Sequence, residues 1–324
     1  MKRKNSMNRK VVLKVSPSLA LIKYWGKGDV KNNIPATSSL AVTLDSLCTT
    51  STFSFEKRDI VTINGIDQDV SRFLPFFENV RQKMNSRSFF RCESENNFPT
   101  AAGLASSSSG FAAMALGIKT LLEADISLSL VSSVARLGSA SAARAVFGGF
   151  TILPRGAESA EPVKGADFWP DLRVIVVSVS KHMKKTSSRT GMALSKETSP
   201  YYESWLKDSE IVFQKSLSAL DKRDLSQLGP LIRKSYMRMF STMLSADPPL
   251  IYWQPDSMGI IHLCSELRNQ GIGAWETMDA GPQVKIFCIK EDVIKIQTAI
   301  QELFPHCNSI VDKVGTGPEI QVLF

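Results

Sequence analysis

The segment that most constrains this chain is a loop of small residues, running from Asn97 to Gly110, that opens directly into an apolar helical pattern. Its sequence, NFPTAAGLASSSSG, is followed by FAAMALGI. Small residues let backbone N–H groups surround an anion at a helix N-terminus, where the helix dipole favours negative charge. Serine hydroxyls add donors for phosphate oxygens and oxygen ligands for Mg²⁺. The loop predicts either a phosphate site or only a tightly packed helix entry, because it matches neither the Walker A nor the GxGxxG pattern.

The overall composition limits the classes of protein to which this chain can belong. The 324 residues, 43% hydrophobic and 22% charged, suffice for two domains with cores. Apolar runs stay below the roughly 18 residues of a membrane span, and the basic first ten residues lack a following apolar segment, so we expect neither a transmembrane helix nor a signal peptide. The scattered cysteines favour buried thiols in a reducing, cytoplasmic compartment over disulfides or zinc. The net charge of +8, without a patch that interleaves basic and aromatic residues, favours an anionic small substrate over nucleic acid.

Apolar periodicity predicts a strand-rich first half and a helix-rich second half, hence an α+β fold with two lobes that divide near residue 180. The two predicted domains are residues 1–180 and 181–324. We expect strands at 11–15, 40–44, 49–55, 60–63, 88–93, 148–153, 172–179, 273–277, 284–289 and 308–313. We expect helices at 68–84, from the serine loop to 122, and at 128–137, 200–220, 225–244, 256–270 and 291–303, with a loop at 155–170.

Four further segments carry polar groups suited to a site: Ile22–Asp29, Gly138–Arg144, Lys184–Met192 and Met278–Pro282. The lysines of the first offer charge to a phosphate, or belong to an ordinary surface loop. The lone arginine of the second suits a carboxylate ligand, or a structural ion pair. The basic segment Lys184–Met192 is interpreted as a second anion site or as a helix cap. The aspartate in Met278–Pro282 is either a turn former or a group that orients a hydroxyl.

The three histidines, His182, His262 and His306, lack a catalytic setting, and the sequence shows no cluster of metal ligands. Any metal is therefore expected to arrive with a nucleotide, as Mg²⁺.

Together these five segments resemble the mevalonate diphosphate decarboxylase family of the GHMP kinase superfamily. The likeness runs in order from about residue 10 to residue 320, and its most specific strings are IKYWGK at 22–27 and NNFPTAAGLASS at 96–107. It implies a ribosomal protein S5 domain 2-like N-terminal lobe and a ferredoxin-like C-terminal lobe, with the active site between them. It also implies ATP-dependent decarboxylation of mevalonate 5-diphosphate to isopentenyl diphosphate, ATP and Mg²⁺ as co-substrate and metal, and a homodimer.

The resemblance also implies roles for individual residues. Asp279 should orient the 3-hydroxyl and act as its base, Arg144 should hold the substrate carboxylate, and Lys23 should take part in catalysis. The ATP phosphates should contact Pro99, Ala101, Gly103, Leu104, Ala105, Ser106, Ser107 and Ser108, with Ser106 or Ser107 near Mg²⁺. The substrate should contact Tyr24, Lys27, Ser139, Ser141, Arg144, Ser188 and Arg189.

The chain departs from the family pattern before IKYWGK, where an asparagine that normally helps to orient the carboxylate is missing and Ser18 lies nearby. Either Ser18 takes over that contact or decarboxylation is weakened. A phosphomevalonate decarboxylase and a mevalonate 3-kinase-like enzyme therefore remain alternatives, as does a nucleotide-binding protein without catalysis.

Overall fold

The structure is a computed structural model that describes residues 9–98, 106–180 and 186–324. Over these ranges the chain is α+β, as predicted, and forms three sheets of four or more strands, a two-stranded sheet and nine α-helices. The strands are β1 Lys10–Val15, β2 Ser18–Ile22, β3 Lys27–Asp29, β4 Ile34–Pro35, β5 Ser39–Thr43, β6 Thr49–Glu56, β7 Ile60–Ile63, β8 Ile66–Asp67, β9 Phe89–Asn96, β10 Phe150–Leu153, β11 Glu161–Lys164, β12 Leu172–Ser178, β13 Trp275–Met278, β14 Val284–Ile289, β15 Asn308–Asp312 and β16 Glu319–Leu323. The helices are α1 Leu74–Lys83, α2 Ser106–Leu121, α3 Leu128–Gly138, α4 Ala142–Ala145, α5 Ser188–Thr198, α6 Tyr202–Asp221, α7 Leu225–Leu244, α8 Pro255–Asn269 and α9 Val293–Leu303.

The first sheet, in the order β16-β1-β6-β9-β7-β8, carries the serine helix on its apolar face. Alternation buries Val11, Leu13 and Val15 of β1, as period-2 patterning requires. Helix α2 can lie close to this face because Gly117 has no side chain; a Cβ at this position would overlap the ring of Phe53. The sheet therefore fixes where the N-terminus of α2 points.

The other two large sheets support the opposite side of the site. One has the order β11-β10-β5-β2, and its strands β2 and β5 are buried along their whole length. The other has the order β13-β14-β12-β15 and packs against α7 and α8. Helices α6 and α7 join the two sheets in one apolar cluster, which includes Leu19, Phe213, Leu228 and Phe287.

Most of the predicted elements are confirmed, and the exceptions have local causes. The helix expected from residue 68 begins at Leu74, after a separate 3-10 turn at Val70–Arg72, and Pro75 occupies its first turn. The loop expected at 155–170 contains β11, which pairs with β10. The short hydrogen-bonded partners β3 and β4, the strands β2 and β16, and helix α5 carry no clear periodicity and were not predicted.

The last strand returns to the first sheet, where β16 pairs antiparallel with β1. The division at residue 180 stays a prediction. Among the described residues, none of the helices combines the length and the apolar character that crossing a membrane would take.

Candidate active site

A cavity of about 400 Å³ lies where the ends of α2, α4 and α5 face the end of β13. Its wall brings together residues that are far apart in the sequence. The predicted site residues that line it are Lys23, Tyr24, Lys27, Ser106, Ser107, Ser139, Ser141, Arg144, Ser188, Arg189 and Asp279. The predicted phosphate contacts Pro99, Ala101, Gly103, Leu104 and Ala105 lie outside the described residues.

The turn after β2 aims Lys23 into the protein. The backbone N–H of Lys23 donates to Ser235 Oγ at 2.8 Å, and the indole N–H of Trp205 donates to the Trp25 carbonyl at 3.0 Å. Gly26 has φ +106° and stands against Tyr202, so a side chain there would be both strained and blocked. These contacts bury Lys23, which is 2% exposed.

Two buried lysines hold the carboxylate of Asp279. Lys23 Nζ lies 2.7 Å from Oδ1 and also donates to the Ala20 carbonyl at 2.7 Å, while Lys285 Nζ lies 3.1 Å from Oδ2. Both lysines are almost fully buried, whereas the Asp279 side chain keeps 27% of its surface toward the cavity. One carboxylate between two ammonium groups leaves this corner with net positive charge.

The pKa values follow from this arrangement. Burial lowers the pKa of Lys23 to about 8; the charge of Asp279 opposes the shift, and those of Lys285 and Arg144 add to it. Burial by itself would raise the pKa of Asp279, but the ammonium groups of Lys23 and Lys285 hold it well below its usual range. Asp279 is therefore an anion at neutral pH and a weak base.

Serine hydroxyls line another part of the same cavity wall. Ser107 Oγ lies 3.4 Å from Ser139 Oγ, which lies 3.1 Å from Ser141 Oγ. Ser108 differs from its neighbours because it is fully buried, accepts from the Ser18 N–H at 3.4 Å and donates to the Ser141 carbonyl at 3.1 Å. Its hydroxyl therefore joins α2 to β2 and to the segment before α4, and the expected phosphate contact of Ser108 stays a prediction.

Arg144 is a cation taken out of water, with 1% of its surface exposed. Its hydrogen-bond partners among the described residues are hydroxyls: Ser39 Oγ accepts at 2.7 Å and Ser18 Oγ at 3.3 Å. Burial lowers the pKa of Arg144 to about 10, and the guanidinium lies 6.0 Å from the centre of the Tyr24 ring. A buried arginine that lines a cavity and bonds to neutral hydroxyls is suited to an anionic ligand.

A second cationic group lies at the start of α5. The Ser187 hydroxyl caps this helix by accepting from the Thr190 N–H at 3.1 Å, and Ser188 and Arg189 follow in its first turn. Lys27 stands nearby with its ammonium on Asn33 Oδ1, and burial, followed by the charge of Arg189, lowers its pKa to about 8. A helix N-terminus beside two cations forms a site for an anion.

Sequence reasoning missed Ser39, Asn33 and Lys285. Ser39 and Asn33 carry no signal, since long-range pairing brings them to the site. Lys285 did carry one, because it is a charge inside the apolar run VKIFCI of an interior strand. Gln283, which follows Pro282, is fully buried and accepts from the Val179 N–H at 2.6 Å, so it fixes the end of β12.

The sequence predicts no cluster of metal ligands, and this prediction is wrong, because three potential ligands from distant parts of the sequence lie together in the structure. Asp256, His306 and Cys307 bring potential ligand atoms within 4.8 Å of one another, across about 50 residues of sequence. The closest pair is His306 Nε2 and Asp256 Oδ2 at 2.8 Å.

The fold and this cavity define a protein of the GHMP kinase type, in which a serine-lined helix N-terminus and a carboxylate share one cavity. The family model described as Diphosphomevalonate decarboxylase-like N-terminal domain matches residues 15–163, and that described as Mevalonate 5-diphosphate decarboxylase C-terminal domain matches residues 174–322. The chain belongs to the diphosphomevalonate decarboxylase family.

Individual relatives agree with this assignment. The diphosphomevalonate decarboxylase of Homo sapiens is 35% identical over 319 residues, which cover 89% of this chain and 79% of that protein. The crystal structure of mevalonate diphosphate decarboxylase from Staphylococcus aureus aligns with TM-score 0.91 and 32% identity, covering 97% of this chain and 98% of that one. A structure of MDDEF in complex with MVAPP, AMPPCP and magnesium aligns with TM-score 0.90 and 34% identity, covering 96% and 98%.

Proposed function

We propose that this protein decarboxylates mevalonate 5-diphosphate with ATP, giving isopentenyl diphosphate, ADP, phosphate and CO₂. The observation that carries the proposal is the cavity itself, in which a buried arginine, an ionised carboxylate and a row of serine hydroxyls face one another. A decarboxylase that first phosphorylates its substrate needs each of these: a grip on the carboxylate, a partner for the hydroxyl and donors for phosphate.

The diphosphate end of the substrate is placed at the start of α5. Lys27, Ser188 and Arg189 supply charge and hydroxyl donors there, and Tyr24 adds a phenol. Two cations and a helix N-terminus favour a diphosphate over the smaller charge of a monophosphate.

The nucleotide is placed along Ser106, Ser107, Ser139 and Ser141. The related MDDEF structure holds AMPPCP, an ATP analogue, together with magnesium. Ser106 and Ser107 fit a magnesium ion because hydroxyl oxygens suit this hard cation, while Asp279 is already engaged by two lysines. The metal neutralises phosphate charge when it is bound with the nucleotide.

Phosphoryl transfer uses Asp279 as the acceptor of a hydrogen bond from the 3-hydroxyl. The substrate oxygen forms a bond to the γ-phosphorus, the bond to ADP breaks, and the hydroxyl proton passes to the carboxylate. Because the pKa of Asp279 is held low, first by Lys23 and then by Lys285 against the effect of burial, the proton moves only as the new P–O bond makes the hydroxyl acidic. Lys23 keeps the carboxylate in place.

Decarboxylation uses Arg144 to hold the substrate carboxylate. The 3-phosphate leaves with the C–O electron pair, positive charge develops at C3, and the electrons of the C–CO₂ bond form the new double bond. A guanidinium fixed by Ser39 and Ser18 sets the direction of the breaking bond. The Ser18 contact favours the alternative in which this serine takes over from the missing asparagine.

We also propose a cytoplasmic homodimer. The five free cysteines suit a reducing compartment. Light scattering tests the assembly: a mass twice the 35.7 kDa of the chain is expected, and a mass equal to one chain contradicts it.

The reaction is tested by incubating the protein with Mg-ATP and mevalonate, its 5-phosphate or its 5-diphosphate, while ADP and CO₂ are measured together. ADP and CO₂ with the 5-diphosphate are expected. Preference for the 5-phosphate would indicate a phosphomevalonate decarboxylase, ADP alone with mevalonate would indicate a 3-kinase, and no product would indicate a protein that only binds nucleotide.

A further inference from the structure

We propose that Lys285 is a positioning residue for the phosphoryl-transfer step: it holds Oδ2 of Asp279 while Lys23 holds Oδ1, and so fixes the plane of the carboxylate toward the acceptor hydroxyl. The inference rests on the proposed function, because it assigns a purpose to the same carboxylate. The inference adds Lys285, which lies on β14, to the groups that are proposed to act in the site.

Strand register explains how Lys285 reaches Asp279. Lys285 of β14 pairs with Thr277 of β13, and Asp279 follows Thr277 by two residues, just past the end of that strand. Side chains two residues apart share one face of a sheet, so the ammonium and the carboxylate meet diagonally across the pair. The resulting distance, 3.1 Å from Nζ to Oδ2, is that of a hydrogen-bonded ion pair.

The burial of Lys285 needs an explanation that packing does not give. The residue is 1% exposed and lies on an interior strand between the buried apolar residues Val284 and Ile286. Removing an ammonium group from water is costly, and replacing buried ion pairs by apolar residues is often neutral or stabilising. Lys23 alone already balances the charge of Asp279. A second buried lysine is therefore better explained by the geometry and charge of the site than by stability.

The pair of lysines restricts the carboxylate in two ways. With one cation on each oxygen, the group cannot rotate about its Cβ–Cγ bond without losing an ion pair. The remaining lone pairs then face the open part of the cavity, where 27% of the side chain is exposed. The surplus positive charge also complements the phosphoryl group that must approach this carboxylate.

The experiment compares Lys285→Met with Lys290→Met, which removes an exposed lysine just past the end of the same strand. Lys285→Met is expected to lower kcat by about tenfold to a hundredfold, as misplacement of a reacting group does, with little change in KM for either substrate. Lys290→Met should match the wild type in both.

Each outcome decides the matter. An unchanged kcat in Lys285→Met, or an equal rise in KM for both substrates, would overturn the proposal. Folding is checked by circular dichroism, with Lys285→Gln as a second variant; failure of both to fold would assign Lys285 to the fold instead. A wild-type protein that releases no ADP and CO₂ would contradict the proposed function, and this result is read before any variant is made.

Discussion

Arg144 and Lys23 are cations that the fold removes from water, and each has a different kind of partner. Lys23 is paired with the carboxylate of Asp279, whereas Arg144 bonds to two neutral hydroxyls. Because a buried charge without a counter-charge is costly, Arg144 is the residue whose environment an anionic substrate would complete. The site thus has one corner in which the cation is paired with a carboxylate and another in which the cation is bonded to neutral hydroxyls.

The hydroxyls on Arg144 should affect decarboxylation more than phosphorylation. We expect Ser39→Ala and Ser18→Ala to slow CO₂ release by about tenfold each, the loss of one hydrogen bond to a charged group, while ADP forms at a rate near that of the wild type. The measurement is the ratio of CO₂ to ADP in the first turnover. Ser133→Ala, a buried serine that bonds within its own helix, is the control. Equal loss of both products in Ser18→Ala and Ser39→Ala would argue against a role specific to the carboxylate.

The pH dependence should report the two lysines whose pKa burial lowers to about 8, Lys23 and Lys27. Both lose their charge as the pH rises through this value, so the free enzyme should bind the diphosphate less well above it. We expect kcat/KM for mevalonate 5-diphosphate to fall on the alkaline side of about pH 8, because Lys27 loses the charge that binds the diphosphate, and kcat to fall as well, because Lys23 loses the charge that holds Asp279. Lys27→Met should raise KM and make the alkaline limb shallower. A kcat/KM that stays constant to pH 10 would contradict this assignment.

At the scale of elements, helix α8 and strand β13 hold the turn that carries Asp279. Gln254 and Ser257 form a capping box at the start of α8, and the Ser257 hydroxyl also donates to the Pro282 carbonyl at 2.7 Å. Glu276 of β13 is fully buried and bonds to Arg233, Tyr236 and Arg268. The carboxylate therefore stands on a turn that is fixed from both sides.

Ser257→Ala should affect stability and catalysis together. Loss of the cap and of the Pro282 contact is expected to lower the free energy of unfolding by about 1–2 kcal/mol, and kcat should fall because the turn loosens. Ser127→Ala, which removes the cap of α3 away from the cavity, is expected to cost about 1 kcal/mol with kcat unchanged. Chemical denaturation and steady-state kinetics measure both effects. If Ser257→Ala loses stability alone, the cap has no part in positioning Asp279.

Elements with clear periodicity were predictable from the sequence, and so were the segments of the site that carry unusual residue patterns. Strand β2 was missed because its continuous apolar run has no alternation and is set by distant pairing with β5. The opposition of Asp279 and Lys23 joins residues 256 positions apart, and only the resemblance to a family suggested it. Ser39 meets Arg144 between strand β5 and helix α4, and Lys285 meets Asp279 through sheet pairing; the sequence marks Lys285 as unusual but encodes neither contact.

At the scale of the whole molecule, the last strand of the chain lies beside the first. Strand β16 pairs with β1, and the backbone at Thr316 and Gly317 packs against Gly148, where a Cβ at either glycine would overlap the opposing backbone. Both halves of the sequence therefore contribute to the first sheet, whose helix α2 presents the serines, while the third sheet presents Asp279. One cavity joins the two sets of groups, as the proposed phosphorylation and decarboxylation at a single site require.

The central claim is that these two steps depend on different residues of one cavity. Its most direct test is the stoichiometry of ADP and CO₂ from mevalonate 5-diphosphate in the wild type, Arg144→Met and Asp279→Asn. We predict one CO₂ for each ADP in the wild type, ADP in excess of CO₂ in Arg144→Met, and loss of both products in Asp279→Asn. ADP without CO₂ in the wild type, or a constant ratio of the two products in Arg144→Met, would contradict the account.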